Sequence, residues 1–406
     1  MVELQKTFAK PKFSPFLGPV GFHESDAAGS TETATTHFQK PPAHSDDDSS
    51  SESSISSACT IKPPQNQQSQ EIRPLSRINQ SLTPIPWTNY FEREIYIQSE
   101  FETETIHHHG YLTCPSGAAP LFVTHHGAGS SGLSFATLFM EIRKQLPMAG
   151  ILSIDARDHG LTRLTSTSSK TVDLSLATLS LDLFSVIENT KIQMGWEILP
   201  PVVLLGHSLG GAVVTELGSS GKLKEQLLGY VVLDVVEGSA LDALNVMKTY
   251  LSTRPTGFPS LEAGIAWHLR SQTIRNPLSA RTSVPALLVH NKDAPSSQAW
   301  TWRTDLSATQ PFWKGWFVGL SKRFLAGRAG KLLLLAGTDR LDKELLIGQM
   351  QGKYTLHIFP ETGHFIHEDA PEQAAMKIVE FYRRNDRSLL VLPPKVSDLL
   401  RAGKKV

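Results

Sequence analysis

The chain has 406 residues, with 39 basic against 39 acidic side chains, 40% hydrophobic residues and two cysteines. That length can bury a large core, and zero net charge removes the long-range field on which binding to nucleic-acid phosphates or anionic membranes relies. Cys59 and Cys114 stand far apart, so they form neither a disulfide framework nor a zinc site, which needs about four closely spaced ligands.

Residues 1–10 hold no apolar run of secretory length, and no window reaches the roughly 18 apolar residues of a membrane span, so the expectation is a soluble protein of the cytosol or nucleus. All seven Trp and all seven Tyr fall between Trp87 and Tyr382. Before them, 45–57 holds eight serines and four acids and is followed by a Gln-rich stretch, a composition unable to offset its own ordering entropy. Residues 1–80 therefore read as a disordered tail. Residues 81–385 read as the folded domain, and 386–406 as a C-terminal tail with a short basic end.

Within the domain, 93–98 and 103–113 alternate as a leading antiparallel pair. Compact apolar runs follow at 121–125, 150–155, 201–205, 229–234, 331–336 and 354–359, the form of parallel strands buried on both faces. Helical spacing separates them at 135–146, 173–189, 209–218 and 371–384. Strand and helix in alternation predict a doubly wound, mostly parallel α/β sheet. The stretch 235–330 is too long for a crossover and carries Trp267, Trp300, Trp302, Trp313 and Trp316, so it is expected to form a helical cap between the sixth and seventh strands.

The sharpest motif is Gly206-His207-Ser208-Leu209-Gly210, after an apolar strand and before a helix opening with Gly210-Gly211-Ala212. A serine at such an elbow is held at the carboxyl edge of the sheet, and its glycines are needed where a Cβ would clash. Ser208 is the expected nucleophile. A serine needs a base, and His364, in a loop after the last strand, can fold back to that edge. His367 reads as a helix-start or surface histidine. The acid is open between Asp339, just past the seventh strand, and Asp234, at the end of the sixth; position favours Asp339 slightly. His125-His126-Gly127-Ala128-Gly129-Ser130 is the expected oxyanion loop, with the amides of Ala128 and Leu209 as donors, buttressed by 155–160. His107-His108-His109 is a poor metal site, because neighbours on a strand point to opposite faces. No phosphate-binding glycine motif follows a strand.

Several longer stretches resemble the protein phosphatase methylesterases. They are Asp234-Val235-Val236-Glu237-Gly238-Ser239-Ala240-Leu241-Asp242-Ala243-Leu244, Thr301-Trp302-Arg303 with Gly315-Trp316-Phe317-Val318-Gly319-Leu320-Ser321, residues 331–353 with Gly348-Gln349-Met350-Gln351-Gly352, and Gly363-His364 with His367-Glu368-Asp369-Ala370-Pro371. The resemblance runs from Trp87 to Phe381. It implies an α/β-hydrolase that removes the methyl ester from the C-terminal leucine of the type 2A protein phosphatase catalytic subunit, without a cofactor. It also implies Ser208 as nucleophile, His364 as base and, against position, Asp234 as acid. Ala128 stands where the family tends to have glycine. An aromatic cap suits a protein partner, which makes Trp302, Trp316 and Met350 candidate contacts, although tryptophans equally fill a cap's own core. A small-molecule carboxylesterase or lipase and a non-catalytic phosphatase-binding scaffold are the competing readings.

Overall fold

The structure, a computed structural model, describes residues 82–101, 104–166, 172–337, 341–386, 388 and 401. The tail expected over 1–80, most of that over 386–406, and Asp339 lie outside the described residues.

The strands are β1 (Arg93–Glu100), β2 (Glu104–Thr113), β3 (Leu121–His125), β4 (Gly150–Ile154), β5 (Arg163–Ser166), β6 (Val202–His207), β7 (Leu227–Leu233), β8 (Gly257–Phe258), β9 (Leu288–His290), β10 (Trp300–Trp302), β11 (Gly330–Leu335) and β12 (Thr355–Ile358). Nine of them form one sheet in the order β1-β2-β4-β3-β6-β7-β11-β12, with β5 also paired to β2. β2 runs antiparallel to β1, β4 and β5, and from β4 to β12 all neighbours are parallel.

Every residue of β3, β4, β6 and β7 is buried, because helices cover both faces of the sheet. Side chains alternate across a strand, so each strand feeds two cores. Val202, Leu204, Tyr230 and Val232 join the helices Leu176–Gln193 and Leu209–Ser220 on one face. Val203, Leu205, Val231 and Leu233 join Ala136–Gln145 and Pro371–Asn385 on the other. The parallel arrangement brings the carboxyl ends of β3, β6, β7, β11 and β12 to one edge, where the loops carrying His126, Ser208, Asp234 and His364 emerge.

Packing divides the long insertion after β7. The helices Leu261–Arg270 and Pro277–Leu287, with a small sheet β8-β10-β9, build a separate apolar cluster around Phe258, Ile265, Val284 and Leu288, against which Trp267, Trp300 and Trp302 lie. The last part does not belong to that cluster. Trp313, Trp316, Phe317, Leu320 and Phe324, on the short helices Trp313–Phe317 and Leu320–Ala326, pack into the main core beside Val213 and Leu217. Among the described residues no helix is long and apolar enough to cross a membrane.

Candidate active site

The turn between β6 and the helix Leu209–Ser220 is one residue long. Ser208 has φ 52° and ψ −119°, a left-handed conformation that a residue with a Cβ adopts only when its surroundings impose it. They do: the Ser208 amide donates to Leu233 O at 3.0 Å, and the Ser208 carbonyl accepts from Gly211 N at 2.8 Å. A Cβ on Gly206 would strike the main chain of Gly210, and one on Gly210 would run into the carbonyl oxygen of His125. Leu209 is the first helical residue, so no carbonyl one turn earlier can take its N–H.

His364 lies between β12 and the short helix Ile366–Asp369, and its Nδ1–H donates to Asp234 Oδ2 at 2.7 Å. The Asp234 carboxylate is fully buried. Its other oxygen accepts from Ala336 N at 2.9 Å, and its own amide donates to Leu334 O at 2.8 Å, so β11 fixes the acid that β7 carries. The loop bearing His364 is held from two further sides. His207 Nε2–H donates to His364 O at 2.9 Å, and Gly363 N donates to Asp369 Oδ2 at 2.7 Å.

The glycine loop after β3 is set by neutral imidazoles. Gly129 has φ 74°, while Ala128 is not among the residues with positive φ, so an alanine fits there without strain. Gly129 N donates to His159 Nε2 at 2.9 Å, and His159 Nδ1–H donates to Arg157 O at 2.8 Å. His126 uses both nitrogens in the same way, donating from Nδ1 to Gly127 O and accepting from Ala156 N. Burial lowers the pKa of both rings, which keeps each neutral, and the bonds at the two nitrogens set the tautomer. Asp155 accepts from Gly132 N and Leu161 N and pairs with His109 Nδ1 at 2.7 Å. Burial alone would raise the pKa of this carboxyl, but the bond and charge of His109, with His126 and the Gly132 amide, together outweigh it and the group sits at about 2.

Ser208, His364, Ala128 and Leu209 line one pocket, roofed by residues of the insertion. Trp302 and Trp316 both reach it. Trp302 donates from Nε1 to Pro255 O at 2.7 Å, and Trp316, only 3% exposed, donates to Leu174 O at 2.7 Å, so each wall is pinned in place. Met350 does not line the pocket: it ends the helix Lys343–Met350 with 89% of its surface exposed, where only the outside of a partner could touch it. His367 is at a helix start, but it is no surface residue. It is fully buried, stacked on Phe135 at 4.6 Å, and burial lowers its pKa to about 3. Arg254, Tyr250, His268 and Leu306 also line the pocket. No motif marks them, since their positions follow from how the insertion folds back over the sheet edge.

The model of the alpha/beta hydrolase family matches residues 121–376. Protein phosphatase methylesterase 1 of Gibberella zeae is 57% identical over 406 residues, covering 100% of both chains. The protein of the same name from Schizosaccharomyces pombe is 44% identical over 338 residues, 83% of this chain and 95% of its own. The chain belongs to the protein phosphatase methylesterase family. It is a carboxylic ester hydrolase. Among solved structures, E-2-(acetamidomethylene)succinate hydrolase matches with a TM-score of 0.54 and 17% identity over 72% of this chain and 100% of its own. The thioesterase domain from the curacin biosynthetic pathway follows at 0.51 and 16%, over 71% and 99%. Likenesses at that identity carry the fold, and the fold is the α/β-hydrolase one read from the sequence.

Proposed function

We propose that this hydrolase removes the methyl ester from the C-terminal leucine of the type 2A protein phosphatase catalytic subunit, in the cytoplasm with the nucleus as a second compartment. The observation that carries the reading is the bond from His364 to the buried Asp234 beneath the pocket onto which Ser208 opens. In this reading Ser208 Oγ attacks the ester carbonyl as His364 Nε2 takes its proton, while Asp234 holds the Nδ1–H tautomer and stabilises the imidazolium. The amides of Ala128 and Leu209 receive the oxyanion, Leu209 from the positive end of its helix. The histidine then protonates departing methoxide, and a water activated by the same ring frees the carboxylate. These steps need no cofactor. Trp302 and Trp316 would bound the peptide terminus inside the pocket, and Met350 could meet only the body of the phosphatase.

The test is mass spectrometry of the methylated phosphatase C-terminus after incubation with the parent and with Ser208→Ala. The parent should shift the terminal peptide by loss of one methyl group, and the variant should leave it methylated. Cleavage of small esters with no action on the phosphatase would favour a small-molecule carboxylesterase. Binding without turnover would favour a scaffold.

A further inference from the structure

Arg254 is a cation in the pocket that the hydrolytic steps do not use. It ends the helix Glu237–Thr253 as its C-cap, half-buried, with its guanidinium 3.7 Å from the centre of the Trp302 ring. The ring is itself pinned by the bond from its Nε1 to the carbonyl of the next residue, Pro255. Helix C-terminus and aromatic face both favour a positive charge at this point, but neither offers an acceptor in the plane of the guanidinium.

Among the described residues the Arg254 guanidinium makes no hydrogen bond and no ion pair; only its main-chain N–H is used, donating to Leu251 O. Among the described residues the pocket holds no counter-ion for it either. Glu368 lines the same space, but it is wholly buried, accepts a hydrogen bond from Ser283 Oγ at 2.5 Å, and burial raises its pKa well above the usual carboxyl range. Asp234 is committed to His364. His268, on the same wall, donates to Gly264 O at 2.8 Å, and burial lowers its pKa to about 4, so it is neutral. The pocket therefore presents a fixed fork of N–H donors with its charge uncompensated.

We propose that Arg254 is a specificity residue that anchors a carboxylate of the bound peptide. This rests on the reading that the pocket takes a peptide ending in an ester. Such a carboxylate has two sources: an acidic side chain upstream of the esterified residue, or the terminal carboxylate that hydrolysis creates. A planar guanidinium braced on an indole face matches either one with two parallel bonds, and a lysine could not reproduce that geometry.

The experiment uses full-length protein and measures how leucine-terminated peptides inhibit hydrolysis of nitrophenyl acetate, which reports binding whether or not a peptide is turned over. One pair of methyl esters differs by Asp against Asn near the terminus, and a second pair differs by free acid against terminal amide. The parent should prefer the acidic member of at least one pair by about 10- to 100-fold, the size of a charge-assisted hydrogen bond. Which pair shows the preference names the source. Arg254→Gln should erase the ratio and Arg254→Lys should keep part of it. Ratios are taken within each variant, so a change in basal rate cancels. Equal inhibition by both members of both pairs in the parent overturns the proposal even if the glutamine variant does not fold, as does a preference that survives Arg254→Gln. Turnover of the methyl esters is scored separately. A preference without turnover fails the methylesterase reading alone, and turnover without a preference fails the role of Arg254 alone.

Discussion

His207 donates its Nε2–H to the main-chain oxygen of His364 at 2.9 Å, so the residue before the elbow serine holds the loop that carries the base. The ring is buried, and burial drives its pKa well below the ordinary imidazole range, which fixes it as a neutral donor. It also packs 4.6 Å from the rings of both His364 and His367. His207→Phe should keep the packing and lose the bond. One hydrogen bond of about 1–2 kcal/mol converts to a roughly 5- to 30-fold fall in kcat with KM little changed. Steady-state kinetics beside a thermal melt separate this from a purely structural effect, which would lower Tm and leave kcat intact.

Gly210→Ala tests the close packing behind the elbow. The added methyl would meet the carbonyl oxygen of His125, a main-chain atom that cannot swing away. The expectation is a loss of several kcal/mol in urea unfolding, with activity lost in parallel. Gly195→Ala is the control. Its Cβ meets nothing within 4 Å, and only the strain of φ 65° remains, about 1 kcal/mol.

The central sheet was legible because apolar runs bounded by turns have one economical solution when helices separate them, and β3, β4, β6 and β7 are buried throughout as that solution requires. The elbow was legible for a different reason: its two glycines record steric contacts that no other residue tolerates. What escaped was tertiary. Trp302 and Trp316 occur in similar aromatic contexts, yet one packs with the separate cluster of the insertion and the other with the main core, and local sequence carries no mark of that division. Arg254 escaped likewise, because a helix-ending arginine before a proline is ordinary until the chain folds it over Trp302. His367 looked external because polarity was the only guide; the stacking on Phe135 that buries it joins segments distant in the chain.

Acid should destabilise the fold well before the carboxylates titrate. Burial lowers the pKa of His125 and His268 to about 4 and of His367 to about 3. Each stays neutral in the native state while its unfolded counterpart, near 6.5, takes up a proton. The unfolded chain thus binds more protons below pH 6.5, so stability is full above that value and falls as pH drops toward 4. The slope is about 1.4 kcal/mol per pH unit for each such ring. Thermal melts from pH 7.5 to 4.5 should show Tm falling steadily below 6.5, and His268→Gln should make the fall shallower by one ring's share. A flat profile down to pH 5 would mean that these imidazoles are protonated inside the fold.

The acid can be assigned by an amide substitution, because Asp234 is held between two donors. Its Oδ1 accepts from Ala336 N–H and its Oδ2 from His364 Nδ1–H. An asparagine has one oxygen for these two positions. If the oxygen stays with Ala336, the NH2 group faces His364 Nδ1 and forces the ring to accept there, placing the proton on Nε2, where it blocks uptake of the serine proton. If the oxygen turns to His364, the NH2 group opposes the Ala336 amide, and a buried donor loses its partner. In both arrangements the negative charge that would stabilise the imidazolium is gone, so Asp234→Asn should lower kcat by on the order of 10⁴. Asp339, which position favoured and which lies outside the described residues, should lose far less as Asp339→Asn, because His364 already has its carboxylate in Asp234. Both variants are to be compared at saturating substrate, with folding checked by melts, so that a change in binding is not read as a change in chemistry. A crippled Asp339→Asn beside a mild Asp234→Asn would move the acid to the segment after β11 and make the bond between His364 and Asp234 a resting contact.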